Sequence, residues 1–165
     1  MKTLFLLRHA KSDWNADFKR DHDRPLNKRG QKGAKKIAKA MSDLNLIPEV
    51  VFSSDSKRTK ETWQQVSKIL KKKDISIPIL YTEDLYHGEL HDMQEILSNQ
   101  DNGIQSILLL GHNPGWEDAA STLLQQNVVM TTANLIVLTH PSDDWEEAIY
   151  SNQWTLLHHL IPKDL

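Results

Sequence analysis

Two arginines and two histidines are the residues of this sequence best placed to do chemistry, because each follows closely on an apolar run. They are Arg8, His9, Arg58 and His112. Short apolar runs are typical of buried strands, and ligands of open α/β sheets bind where the strands end. If the runs form one parallel sheet, the four side chains meet at one edge of it.

Side chains that carry or can carry positive charge repel one another unless an anion lies between them. A tetrahedral dianion such as phosphate fits, since each guanidinium offers a planar fork of donors to two oxygens. One neutral imidazole can attack phosphorus and hold the phosphoryl group transiently, while a second, protonated imidazole stabilises the transition state. The leaving atom needs a proton, so a nearby carboxylic acid is expected. The four residues therefore indicate phosphoryl transfer.

The elements that must position these residues alternate along the chain. Strands are predicted over 3–7, 50–52, 75–81, 107–110, 133–139 and 154–161, and helices over 28–44, 57–72, 91–99 and 115–125. Asn27 and the serines within 53–56 supply N-caps for the first two helices, and Pro78 marks an edge strand. This alternation favours a mostly parallel sheet with helices on both faces, in one domain over 1–165, although the last two strands need not be parallel.

Composition excludes several classes of function. The 165 residues include no cysteine, which rules out disulfides, thiolate metal sites and cysteine nucleophiles. The first apolar run is too short for a signal peptide, and no stretch is as long as a membrane span, so we expect a cytoplasmic protein without membrane contact. The formal charge of −2 argues against nucleic acid as a partner. The basic segments 19–39 and 57–73 are interpreted as solvated helix faces.

Three segments together resemble the histidine phosphatase superfamily, also called the phosphoglycerate-mutase-like family. They are Arg8-His9-Ala10 with Trp14-Asn15, the stretch 53–62 around Arg58, and Gly111-His112-Asn113-Pro114. Ala10 stands where the family commonly has glycine. That departure, and the segment 23–26 followed by Arg29-Gly30, are similar to the SixA-type branch, the phosphohistidine phosphatases. The resemblance spans nearly the whole chain.

This resemblance implies a three-layer α/β/α sandwich without a large cap domain, and no metal or other cofactor. It assigns His9 as the nucleophile that becomes phosphorylated, and Arg8, Arg58 and His112 as the rest of the catalytic phosphate pocket. The further expected substrate contacts are Ser12, Asn15 and Asn113.

The proton donor is the open assignment. Capped relatives use a glutamate shortly before a glycine, in the stretch corresponding to 85–88, where this chain has no glutamate. Our candidate general acids are Glu83 and Asp84, and the alternatives nearby or in the loop after His9 are His87, Glu89, Asp13, Asp17 and Asp21. A phosphohistidine substrate needs less help, because imidazole departs readily once it is protonated.

The absence of a cap favours a bulky substrate, such as a phosphorylated side chain of a protein, over an enclosed sugar phosphate. We therefore expect a monomeric phosphatase of phosphohistidine or of other phosphoprotein side chains. Two alternatives stay open: a small-molecule phosphomonoesterase with the same mechanism, and a phosphate-binding module without turnover. A mutase is less favoured, because it must shield its phosphoenzyme from water.

Overall fold

The computed structural model describes residues 1–165 and contains six strands and five helices. The strands are β1 (Lys2–Arg8), β2 (Val50–Ser54), β3 (Ile79–Thr82), β4 (Ser106–Gly111), β5 (Leu135–His140) and β6 (Thr155–Leu160). The helices are α1 (Lys28–Asp43), α2 (Lys57–Lys71), α3 (Leu90–Ser98), α4 (Gly115–Leu124) and α5 (Trp145–Ile149). None of these helices is both long and apolar enough to cross a membrane.

All six strands form one sheet in the order β3-β2-β4-β1-β5-β6. The first four strands pair in parallel, while β5 runs antiparallel to β1 and β6 runs antiparallel to β5. The predicted mostly parallel sheet is therefore confirmed. The strands that break the parallel pattern are the late pair that the sequence left open.

The sheet is buried on both faces, as the side chains of β1 illustrate. Leu4 and Leu6 belong to a core shared with α3, α4 and α5. Phe5 and Leu7 alternate with them and belong to the opposite core, which contains the apolar faces of α1 and α2. The predicted three-layer α/β/α arrangement is confirmed. No large cap stands over the sheet, because the segment between α2 and β4 holds only β3, a 3-10 turn and α3.

Two elements differ from the prediction. The helix α5 was not predicted, since its five residues are too few to display a helical period. Its N-cap is Asp144, whose carboxylate accepts from the N–H groups of Glu146 and Glu147. The predicted strand 75–81 forms only from Ile79 onward and lies at the edge of the sheet, as Pro78 indicated.

The close packing behind the end of β4 gives a testable prediction. A Cβ at Gly111 would lie closer than 3.0 Å to three ring carbons of Trp116, which is fully buried. The indole is fixed, since its N–H donates to the carbonyl of Leu109 at 3.0 Å. We expect Gly111→Ala to lower the free energy of unfolding by about 1–3 kcal/mol, measured by urea denaturation, because the overpacked strand must shift.

Gly33→Ala is the matched control. A Cβ there would meet nothing closer than 3.8 Å, and the position lies inside α1. Alanine favours a helix over glycine, so this variant should be as stable as the original protein or more stable by up to about 1 kcal/mol. An unchanged unfolding midpoint for Gly111→Ala would contradict the close contact with Trp116.

Candidate active site

Parallel pairing with β4 brings the ends of β1 and β2 to the same edge of the sheet. Arg8 lies opposite Gly111 in the register, and the backbone N–H of His9 donates to the carbonyl of Gly111 at 3.0 Å. As a result, the ring centroids of His9 and His112 are 5.2 Å apart, and each residue is 7% exposed. Two imidazoles at this separation can both contact one tetrahedral anion.

His9 has a defined tautomer. Its Nδ1 lies 2.7 Å from the carbonyl oxygen of Ala10, which can only accept, so Nδ1 carries the proton and Nε2 keeps its lone pair. Burial is the main cause that lowers the pKa of His9 to about 3, and the charges of Arg58, Arg8 and Arg24 lower it further against the effect of the Ala10 bond. The ring is therefore neutral near pH 7.

His112 is held at its other nitrogen, Nε2, which lies 2.8 Å from Oγ of Ser54. Burial lowers the pKa of His112 to about 2, and the neighbouring His9 and Arg58 add to that effect. The sequence led us to expect a protonated second imidazole. In this pocket desolvation and the nearby positive charge oppose the charged form of the ring, while the carboxylate of Asp21 favours it.

Arg58 lies in the first turn of α2, and its guanidinium points to a carboxylate of the loop after β1. Its Nη2 donates to Oδ2 of Asp21 at 2.9 Å, and its Nη1 donates to the Asp21 carbonyl at 2.8 Å. Arg24 donates to the other carboxylate oxygen at 3.0 Å, and the hydroxyl of Tyr86 donates to Oδ2 at 2.6 Å. Although its partial burial opposes ionisation, these donors hold the pKa of Asp21 well below its usual range.

Three buried side-chain nitrogens have no hydrogen-bond partner within the protein. They are Nε of Arg8, Nε of Arg58 and Nδ1 of His112. All three belong to the four residues that the sequence predicted for the phosphate pocket. Buried polar groups rarely go unpaired, so these nitrogens are donors suited to an anionic ligand.

Arg8 and Asn113 fasten the loop that precedes β5. Nη1 of Arg8 donates to the carbonyl of Met130 at 2.9 Å. The amide of Asn113 donates to the same carbonyl at 2.8 Å and to Glu117 at 3.0 Å. Both amide hydrogens of Asn113 are thus used within the protein, which leaves its predicted substrate contact without support.

The other predicted substrate contacts lie on the loop between β1 and α1. Ser12 is buried and pairs with Leu26 in an isolated bridge. Asn15 is exposed, and the contact that fixes it is its backbone N–H to the carboxylate of Asp13. The structure does not hold the side chain of Asn15 against the histidines.

The two candidate acids point to different depressions of the surface. Glu83 is exposed and lines an open concavity of about 570 Å³ beside the site, together with Asp21 and Tyr86. Asp84 lines a separate depression next to β3 and α3. Of the two carboxyls, the structure brings only Glu83 near the site.

Sequence reasoning missed several residues that shape this pocket. Arg24 is 5% exposed and packs its guanidinium 3.6 Å from the ring centre of Trp14. Tyr86 stacks on His22 with ring centroids 4.8 Å apart. The one available signal was the resemblance of the segment around Arg24 to the SixA-type branch. Neither spacing nor periodicity in this polar loop indicated which side chains turn inward.

A sequence profile decides the family. The profile of the histidine phosphatase superfamily (branch 1) matches residues 4–103, more than half of the chain, and this range includes Arg8, His9 and Arg58. The chain belongs to the histidine phosphatase superfamily. His112 lies beyond the matched range, and it is β4 that carries it to the other three residues.

Three individual proteins are similar to this chain over most of its length. An uncharacterised chloroplastic protein of Arabidopsis thaliana is 38% identical over 153 residues, which is 89% of this chain and 70% of that protein. A structure from Agrobacterium tumefaciens, assigned as the phosphohistidine phosphatase SixA, is 27% identical, covers 98% of both chains and has a TM-score of 0.82. A protein histidine phosphatase SixA complexed with tungstate shares the fold, with 20% identity, a TM-score of 0.82 and 98% of each chain covered. The predicted SixA-type resemblance is confirmed.

The contact between Asp21 and the guanidiniums gives a second prediction. The carboxylate occupies donors of Arg24 and Arg58 that an incoming anion also needs, and it repels that anion. We expect Asp21→Asn to bind inorganic phosphate about tenfold more tightly, since a like charge a few ångströms away is removed. Isothermal titration calorimetry of the full chain with phosphate measures this change.

The control is Asp55→Asn, which removes an equal charge nearby. Asp55 contacts His22 at 2.8 Å rather than a guanidinium, so its loss should change phosphate affinity less than about twofold. Weaker phosphate binding by Asp21→Asn would mean that the carboxylate orients the arginines more than it competes with the anion.

Proposed function

We propose that this chain is a phosphatase that hydrolyses phosphohistidine side chains by way of a phosphorylated His9. The observation that carries the proposal is the pair of buried imidazoles 5.2 Å apart, beside unpaired nitrogens of Arg8, Arg58 and His112. The oxygens of one phosphoryl group would give all three nitrogens an acceptor. A pocket made to bind phosphate alone would need guanidiniums and no neutral nucleophile.

In the first step, His9 is the nucleophile. Its Nδ1–H donates to the Ala10 carbonyl, which orients the ring and leaves the Nε2 lone pair free to bond to phosphorus. The phosphorus–nitrogen bond of the substrate breaks as the new bond to Nε2 forms. The departing imidazole takes up a proton and leaves as a neutral side chain.

In the second step, water attacks the phosphorus atom carried by His9. The bond between phosphorus and Nε2 breaks, the elements of water end on inorganic phosphate, and His9 regains its lone pair. Each step is a displacement at phosphorus, for which placement of the groups and stabilisation of charge supply most of the catalysis.

The charge of the transferred phosphoryl group is stabilised by cations of the chain in this proposal. Arg58 lies in the first turn of α2, where the positive end of the helix dipole adds to its charge. Arg8 and Arg24 are the other guanidiniums around the histidines. We propose that they supply the stabilisation that a metal ion supplies in other phosphoryl-transfer enzymes, so that no metal is required.

The proton for the leaving group comes from the open side of the pocket. Asp21 is a poor donor, because hydrogen bonds from Arg24, Arg58 and Tyr86 keep it ionised. Glu83 is the candidate that the concavity exposes to a bound substrate. An imidazole leaving group can also be protonated from solvent, which suits a site without a dedicated buried acid.

Two observations support the proposed substrate class: the open concavity beside the site and the similarity of the chain to a SixA structure. The concavity of about 570 Å³ beside Asp21 is open to solvent and can admit a side chain that is still attached to a protein. The similar structure from Agrobacterium tumefaciens, at 27% identity, is assigned as a phosphohistidine phosphatase. Both observations favour a phosphorylated protein over an enclosed small metabolite.

The mechanism is tested at the nucleophile. We expect His9→Ala to hydrolyse a generic aryl phosphate at least about 10³-fold more slowly, because the variant lacks the proposed nucleophile and Nε2 of the other imidazole, His112, is engaged by Ser54. His91→Ala is the control, since that exposed imidazole contacts only the carboxylates of Glu89 and Asp92 at the start of α3, and it should keep most of the activity. The original protein, quenched without acid, should also carry a phosphoryl label on His9.

Two outcomes would reject the mechanism. Substantial turnover by His9→Ala would remove His9 from the nucleophile's role. Tight phosphate binding by the original protein, with no label and no turnover of any ester or phosphoramidate, would favour a binding module.

The substrate is tested by comparing rates. We expect kcat/KM for a phosphohistidine peptide to exceed that for sugar phosphates by at least about tenfold, because the open pocket offers a small sugar few contacts and a phosphoramidate needs less acid assistance. Discontinuous phosphate-release assays on both substrates give the ratio. A higher value for a sugar phosphate would identify a small-molecule phosphomonoesterase instead.

A further inference from the structure

A network of buried hydroxyls connects the end of β2 to His112. Ser54 is the last residue of β2 and is fully buried, and its Oγ lies 2.8 Å from Nε2 of His112. The same oxygen accepts from the backbone N–H of Ser56 at 3.3 Å. Thr59 donates its hydroxyl to the Ser54 carbonyl at 2.7 Å, which helps to fix the backbone of Ser54.

We infer that Ser54 is a positioning residue that keeps the single proton of His112 on Nδ1, the nitrogen without a partner in the protein. The inference rests on the proposed function, in which that nitrogen donates to the transferred phosphoryl group. It goes beyond that function because it assigns a role to a residue that touches neither substrate nor phosphorus.

The direction of the hydrogen bond follows from the partners of Ser54. Its Oγ already accepts from the N–H of Ser56, and the acceptor within hydrogen-bond distance of its own hydroxyl is Nε2 of His112. If Nε2 carried the proton and donated instead, the hydroxyl hydrogen of a fully buried serine would have no acceptor. Leaving a buried donor unsatisfied is unfavourable, so the hydroxyl donates and Nε2 accepts.

The tautomer matters because burial beside His9 and Arg58 disfavours the charged form of His112. A neutral imidazole has one N–H, whereas a protonated imidazole donates from both nitrogens. A neutral ring can still stabilise a developing anion, but only if its one proton lies on the nitrogen that faces the reacting group. With Nε2 occupied by Ser54, the donor is Nδ1, the atom that is buried and unpaired.

The same hydrogen bond couples two strand ends. β2 pairs with β4 in parallel, with Ser53 opposite Leu110, so Ser54 lies one residue and His112 two residues beyond the last pair. Ser56 Oγ lies farther from Nε2, at 3.5 Å, and is 2.8 Å from the hydroxyl of Thr59. Ser54 is therefore the hydroxyl placed to control the proton of His112.

The experiment reads the tautomer directly. The full chain is labelled with ¹⁵N-histidine, and long-range ¹H–¹⁵N correlation spectra are recorded near pH 7, with the His112 signal assigned by its loss in His112→Gln. We expect the original protein to show a protonated Nδ1 and an unprotonated Nε2. In Ser54→Ala the pattern should change to a mixture or to a protonated Nε2, and kcat on an aryl phosphate should fall at least about tenfold with little change in KM.

Two further variants separate positioning from structural damage. Ser53→Ala removes the adjacent buried hydroxyl, which donates to the Ser54 carbonyl and not to a histidine, and should leave the His112 pattern unchanged. Ser54→Thr retains a hydroxyl and should restore the original pattern and part of the lost kcat. A general loss of packing would affect Ser53→Ala and Ser54→Ala alike.

The inference is overturned if His112 of the original protein has its proton on Nε2 or is doubly protonated, a result that needs no variant to fold. It is also overturned if Ser54→Ala keeps the original pattern. The tautomer is measured without turnover, so a protein that shows the expected pattern but no phosphatase activity would sink the proposed function and leave the proton assignment standing.

Discussion

The parallel hydrogen bonds that join β1 and β2 to β4 are the constraint on which the site depends. The four residues at its centre come from three segments separated by about fifty residues each, and the pairing of the strands brings those segments together. Because parallel strands end at the same edge, correct register alone sets His9 beside His112. Gly111 packs so closely against the ring of Trp116 that a side chain at this position would displace the end of β4.

Placing cations together in a buried pocket creates a problem of charge, which the chain solves in two ways. Both imidazoles are kept neutral by burial and by the neighbouring guanidiniums. Asp21 supplies a negative charge that two arginines share. A neutral imidazole has one N–H, so the nitrogen that carries the proton decides which side of the ring donates. The Ala10 carbonyl accepts from Nδ1 of His9, and the Ser54 hydroxyl faces Nε2 of His112. In the proposed mechanism, the same burial keeps the lone pair of His9 available for attack on phosphorus.

Much of the fold could be predicted because its signals are local. The apolar runs of β1, β2 and β4 are short and uninterrupted, and the caps at Asn27 and Ser56 lie next to the helices that they begin. The helix α5 and the true start of β3 could not be located in the same way. A five-residue helix shows no period, and the pairing of an edge strand depends on its neighbour as much as on its own residues.

By itself, the sequence determined the sheet class, the family resemblance and the four residues predicted for the phosphate pocket, because these depend on residue type and on order along the chain. Only the tertiary structure decided that Asp21 and Arg24 turn inward, that Asn113 is used to hold a loop, and that Ser54 faces a histidine. The physical reason is that each of these contacts is set by a partner from a different segment, and a hydrogen bond across the fold leaves no pattern in the residues on either side of it.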